Sequence, residues 1–127
     1  MRILGVCAEL WPGVTAEPLP GLVTLVGHEP PDDEERVVGY LRAGEEIFSA
    51  MGVVADLLGS SERVLGGDSI FTDGAWVWRG DLWFYVSRHH LRLPGEFLDS
   101  VRASGYRPPA VGHEDLVAIW EDVKPLL

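Results

Sequence analysis

Cysteine is almost absent from this sequence: Cys7 is the sole example among 127 residues. No intrachain disulfide can form, which points to a reducing compartment. Cys7 lies in the apolar run "MRILGVCAELWPG" with no base nearby, so it reads as a small hydrophobe rather than a nucleophile. Long apolar stretches are missing too, and nothing approaches the ~20 residues that cross a bilayer. Glu9 and Pro12 break the opening run before it resembles a cleavable signal, so a cytoplasmic protein is expected. Repeats and low-complexity tracts are also lacking. Basic residues are scarce, 10 against 20 acidic ones, for a net charge of −10. Such a chain repels phosphate backbones and acidic lipid surfaces, which argues against nucleic acid and membrane as partners. A basic protein would be drawn to it, although acidity also serves plain solubility.

What is present suits one domain over residues 1–127, with an ordinary apolar fraction of 46%. The charge is uneven. Residues 29–46 carry Glu29, Asp32, Asp33, Glu34, Glu35, Glu45 and Glu46 against Arg36 and Arg42. Residues 79–107 hold five arginines against Asp81, Glu96 and Asp99. Asp32, Asp33, Glu34, Glu35, Glu45 and Glu46 therefore form a candidate acidic contact surface for a cationic partner, a pattern that a solvated helix also produces.

Hydrophobic spacing outlines the elements. Residues 3–9 and 22–27 read as strands, separated by a Pro- and Gly-rich loop. "HEPPDDEER" opens a helix with Val37, Val38 and Leu41 on one face and Gly44 as terminator. Residues 46–58 are ambiguous: Ile47, Met51, Val54 and Leu58 fit helical spacing, while Ile47, Ser49, Met51 and Val53 fit a strand face. Gly52 in mid-run favours two short strands or one bent strand, and "GSSERVLGGD" reads as loop. "SIFTDGAWVW" reads as a hairpin turning at Asp73-Gly74, with Trp76 and Trp78 on one face. A helix follows, with the Asp81 carboxylate at its N-terminus and a stripe of Leu82, Tyr85, Val86 and His89. Another opens at Pro94, buries Phe97, Leu98 and Val101 and stops at Gly105. The last, about 114–123, packs Leu116, Ile119, Trp120 and Val123. The expected class is α+β: a small, mostly antiparallel sheet with three to four helices in a single pair of layers.

Six of the twelve aromatic residues fall within "FTDGAWVWRGDLWFYVSRHH", residues 71–90. Phe71, Trp76 and Tyr85 read as core, whereas Trp83 and Phe84 lie round the helix from the buried stripe and are candidates for exposed recognition. His89-His90 is the only adjacent histidine pair. Neighbours on a helix diverge by about 100°, so the two cannot easily share an ion with His113, Glu114 or Asp115. No helical metal-ligand spacing is present, and no metal or other cofactor is expected. His89 fits a core edge and His90 a solvated position. Asp68 or Asp73 with His89 or His113 has the residue types of an acid–base pair, with Ser69 or Ser87 as nucleophile, but no nucleophile-elbow motif supports it. Glycines 59, 66 and 67 have no phosphate-cradling pattern.

The run "SIFTDGAWVWRGDLWFYVSRHHLRLPGEFLDSV", with "YLRAG" upstream, resembles small uncharacterised actinobacterial proteins that share a T-D-G-x-W-x-W turn and an L-P-x-x-F helix start. The resemblance spans residues 40–101. Small acidic proteins of this kind are similar to immunity proteins of bacterial toxin systems, which implies a protein partner and no transferable catalytic residue.

Two functions follow as expectations. The first is a protein-interaction module, of immunity type or otherwise, with Trp76, Trp78, Arg79, Trp83, Phe84, Tyr85 and His89 as candidate binding residues and a homodimer through the same face as a variant. The second is a small-molecule-binding or biosynthetic enzyme domain with an aromatic pocket around Trp76, Trp78, Trp83 and Tyr85, where His89, Asp73 and Arg79 orient a substrate.

Overall fold

The computed structural model describes residues 2–15 and 18–127. The helices are α1 (Glu34–Arg42), α2 (Leu82–His89), α3 (Gly95–Ala103) and α4 (His113–Val123). The strands are β1 (Arg2–Ile3), β2 (Glu45–Phe48), β3 (Val53–Ala55), β4 (Arg63–Leu65), β5 (Ile70–Thr72) and β6 (Trp76–Arg79). A four-stranded sheet runs β1-β6-β5-β2, with β1 parallel to β6 and the other neighbours antiparallel. β3 and β4 form a separate antiparallel hairpin. The fold is α+β, as the mixed periodicities imply.

Side chains opposite each other across a ladder share a face. Phe71 opposes Trp78, so Trp76, Trp78 and Phe71 lie on one side of the sheet, and Thr72 with Val77 lies on the other. Phe97 of α3 meets Trp76, Trp78 and the Tyr40 ring of α1 edge-on, with ring centroids 5.6, 6.1 and 5.7 Å apart. Such edge-to-face contacts between buried rings stabilise beyond their area alone. The buried Trp78 indole donates its N–H to the Leu41 carbonyl at 3.0 Å. The second face is covered by α4, whose Trp120 meets Phe48 of β2 edge-on. The expected pair of layers therefore gains a cover on its far side.

Several local expectations are corrected. The strand at 3–9 is limited to β1: Leu4 still donates to the Val77 carbonyl, then the chain turns. The loop from Trp11 is present as expected, but its first residue is buried in the core beside Leu10. Residues 22–27 form a 3₁₀ turn at Leu22–Leu25 with one bridge from Val26 to Leu91, not a strand. The Glu9 carboxylate, thirteen residues back, accepts the Leu22 N–H, and Thr24 bonds to the Gly21 carbonyl, so these partners displace a ladder. Residues 46–58 do hold two short strands, but in different sheets, and β4 occupies part of the segment read as loop.

Two glycines are explained by geometry. Gly74 alone in the β5–β6 turn has a positive φ, 95°, and the ladder register, with Thr72 opposite Val77, centres the turn on Gly74-Ala75 rather than on Asp73-Gly74. Gly44 follows α1 without ending it in a left-handed cap. A Cβ there would stand 2.6 Å from the Trp78 ring, so the indole occupies its place.

Candidate interaction surface

The aromatic stretch divides between core and surface. Trp76, Trp78 and Tyr85 are buried, and Phe71 packs half-buried against them, so these rings fill the interior instead of lining a pocket. Phe84 is buried as well, at 5% exposure, which corrects its expected place as an exposed recognition residue. Trp83 remains half-exposed, with the Arg42 guanidinium 4.3 Å over its ring.

The polar candidates are drawn into structural contacts. Asp73 accepts the Ala75 and Trp76 N–H groups on one oxygen and the Tyr40 hydroxyl on the other, at 2.7 Å. Burial, then the bond to Asp73, pushes the Tyr40 phenol well above its ordinary range. Asp81 makes no side-chain cap. Its buried carboxylate takes a two-pronged contact from Arg79 at 3.1 and 3.0 Å, while the Arg79 guanidinium also reaches the Leu10 carbonyl. Burial outweighs Arg79 and raises the Asp81 pKa. Ser69 bonds to the Ala50 backbone, and Ser87, Asp68 and His113 are exposed at separate places.

His89 and His90 part as helical neighbours must. His89 Nε2 lies 2.7 Å from Oδ2 of Asp56, a fully buried carboxylate. Asp56 also accepts the Leu58 and Ser60 N–H groups. Burial would raise its pKa, but these bonds and His89 prevail and hold it at about 2. No nucleophile lies within hydrogen-bond reach of His89 among the described residues, so the pair works as a clamp. His90, expected to be solvated, contacts Glu34 at 2.9 Å instead, in a left-handed conformation with φ 55°. A cleft of about 310 Å³ opens beside it, walled by Val37, Val86, Leu91 and Leu98, with Glu29 and Arg92 at its rim.

The acidic segment is only partly free. Asp33 accepts two bonds from Arg102 and one from the Tyr106 hydroxyl, contacts that tie α1 to α3 and hold its carboxyl far below the usual range. Glu34 is engaged by His90. Asp32, Glu35, Glu45 and Glu46 stay exposed.

The feature that single-sequence reading missed is the β3–β4 hairpin. Val53 and Leu65 face each other across its ladder and are 55% and 76% exposed, and Met51 beside them is 86% exposed. Their neighbours Val54 and Val64 turn inward. The hairpin is held to α2 at both ends. The Tyr85 hydroxyl accepts the Leu57 N–H, Asp56 holds His89, and the Asp81 N–H donates to the Gly67 carbonyl. Between them runs an open trough of about 690 Å³ with Trp83 and Arg42 on its wall. Alternation of Val53 with Ala55 and of Arg63 with Leu65 was the available signal, but three-residue strands are too short to show a period.

Among the described residues no group of three or more His, Cys, Asp or Glu side chains is placed to hold a metal ion. No helix among the described residues is long and apolar enough to cross a membrane. Compared with known proteins, the chain matches no protein family, no curated protein and no solved structure.

Proposed function

We propose that this chain is a protein-interaction module whose contact surface is the outer face of the β3–β4 hairpin with the adjoining Trp83 trough. The observation that carries the reading is the pairing of Val53 with Leu65 on a solvent-facing ladder next to Met51. Apolar side chains grouped on an otherwise polar surface mark contact sites, and a half-exposed Trp is a frequent anchor. The sequence resemblance suggests the narrower form, an immunity-type protein that covers a toxin. A cationic partner would be steered by Asp32, Glu35, Glu45 and Glu46, with Asp33 and Glu34 committed to internal bonds. Retention of proteins from lysate of the native cells by the wild-type chain and by Leu65→Glu tests the reading. One partner lost at least tenfold by the variant supports it; equal retention by both counts against it. A homodimer through the same hairpin would show as concentration-dependent sedimentation abolished by Leu65→Glu.

The small-molecule reading draws its support from the cleft beside His90 and not from the aromatic rings. Apolar walls with a few polar groups are the usual make-up of ligand sites, and its volume lies at their lower limit. Fragment screening by NMR, read at the Val86, Leu91 and Leu98 methyls, tests it. Absence of any shift there removes it.

A further inference from the structure

The trough beside the hairpin narrows the chemistry of the partner, given that the hairpin surface is a contact site. We infer that it takes an extended, acidic segment of a partner protein, which adds as a third strand on the outer edge of β4.

The edge is open. The Gly66 N–H donates to the Gly52 carbonyl at 2.6 Å and the Asp56 N–H to the Glu62 carbonyl at 3.2 Å. These bonds bracket a ladder in which Val53 opposes Leu65, Val54 opposes Val64 and Ala55 opposes Arg63. Bonded and non-bonded pairs alternate in an antiparallel ladder, so Arg63 and Leu65 direct their N–H and C=O groups away from β3. Among the described residues those groups have no hydrogen-bond partner. The trough is lined along β4 by Arg63, Val64 and Leu65 and on α2 by Trp83, Phe84 and Ser87, with no residue of β3. An unpaired edge facing a groove is the arrangement that strand addition uses.

The charge is local and opposite to that of the molecule. Arg42, Arg63 and Arg88 line the trough against one carboxylate, Glu62, which Arg88 already contacts at 3.3 Å. Glu46 lies in the adjoining cleft, which shares Arg42, Leu65 and Trp83. The chain as a whole carries −10. The net charge acts on the encounter with the whole partner, and the three arginines act at contact. A strand repeats every second residue, so one segment turns its carboxylates to the outer face that carries Arg63 and its apolar groups to the inner face, toward Val64 and Trp83.

The test pans a random linear peptide library against the full chain and maps the enriched peptides by amide chemical shifts. Expected are peptides alternating acidic with β-branched or aromatic residues, which shift the Arg63 and Leu65 amides. Their affinity should fall about tenfold or more with Arg63→Glu plus Arg88→Glu, and similarly when alternate peptide nitrogens are methylated. Enrichment of cationic peptides, or of peptides mapping to the N-terminus of α1, overturns the inference and leaves the interaction reading intact. So does a concentration-dependent shift of the same amides without peptide, which identifies a second copy of the chain as the occupant. Failure of any peptide to enrich also overturns it, and the Leu65→Glu retention experiment then decides the broader reading separately.

Discussion

His89 Nε2 lies 2.7 Å from Asp56 Oδ2, joining the C-terminal turn of α2 to the tip region of the β3–β4 hairpin. The carboxylate is fully buried and the imidazole is 18% exposed. The contact fixes the hairpin over α2 and so shapes the trough between them.

Asp56 gives this clamp a pH signature. Its folded pKa is depressed to about 2, so its stabilisation is complete above the unfolded value and is lost as pH falls from there through about 2. The shift corresponds to about 2 kcal/mol. Denaturant unfolding of the wild type across the acid range should show that loss. Asp56→Asn should be weaker at neutral pH by a similar amount and flatter in acid. Asp33, also depressed, has the same sign at still lower pH.

Tyr40 acts at the other end of the scale. Its phenol stays protonated in the fold well beyond the ordinary range, owing to burial and the Asp73 bond. The unfolded chain releases that proton above about pH 10, so stability should fall as pH rises past that point. Tyr40→Phe should remove part of the alkaline slope. It should also cost about 1–3 kcal/mol at neutral pH, because Asp73 loses a buried donor.

Gly44 and Trp78 should behave as a coupled pair. Gly44→Ala forces a methyl against the indole and should cost about 1–3 kcal/mol. In a Trp78→Phe background the same change should cost less, since the smaller ring leaves space. A double-mutant cycle by thermal unfolding measures the difference; additive losses would contradict the packing argument.

His90 pairs a left-handed backbone with a side-chain contact to Glu34. Glycine relieves the backbone cost of about 1–2 kcal/mol, while the partly exposed His90–Glu34 contact contributes about 0–1 kcal/mol. His90→Gly should therefore be neutral or stabilising. His90→Ala, which loses the pair and keeps the backbone cost, should be clearly worse by calorimetry.

The amphipathic helices were legible because their apolar residues recur over two or more turns: Val37 with Leu41, Phe97 with Val101, and Ile119 with Val123 are all buried as expected. The hairpin at residues 70–79 was legible from its glycine and alternating tryptophans, although the turn centre lies one residue later. The segments that failed are those whose conformation depends on distant partners. The 3₁₀ turn at Leu22–Leu25 depends on Glu9, and the lone bridge to Leu91 joins residues far apart in sequence. Asp81 failed for a different reason: its partner Arg79 is only two residues away, but the helix-start position favoured a cap over that local contact. For the surface, the acidic count was visible but not its division: Asp33 and Glu34 spend their charge on α3 and α2. The exposed apolar ladder stayed hidden because inward and outward valines look alike in a short run.

The surface reading separates binding from folding. Leu65 and Met51 contribute little to the core, so Leu65→Glu and Met51→Glu should change unfolding free energy by no more than about 0.5 kcal/mol. The most direct measurement is photo-cross-linking in living cells, with a photoreactive residue placed at Leu65 or, as comparison, at Glu35. One dominant covalent partner, identified by mass spectrometry, is expected from position 65, and little from position 35. A partner captured from position 35 and none from position 65 would contradict it.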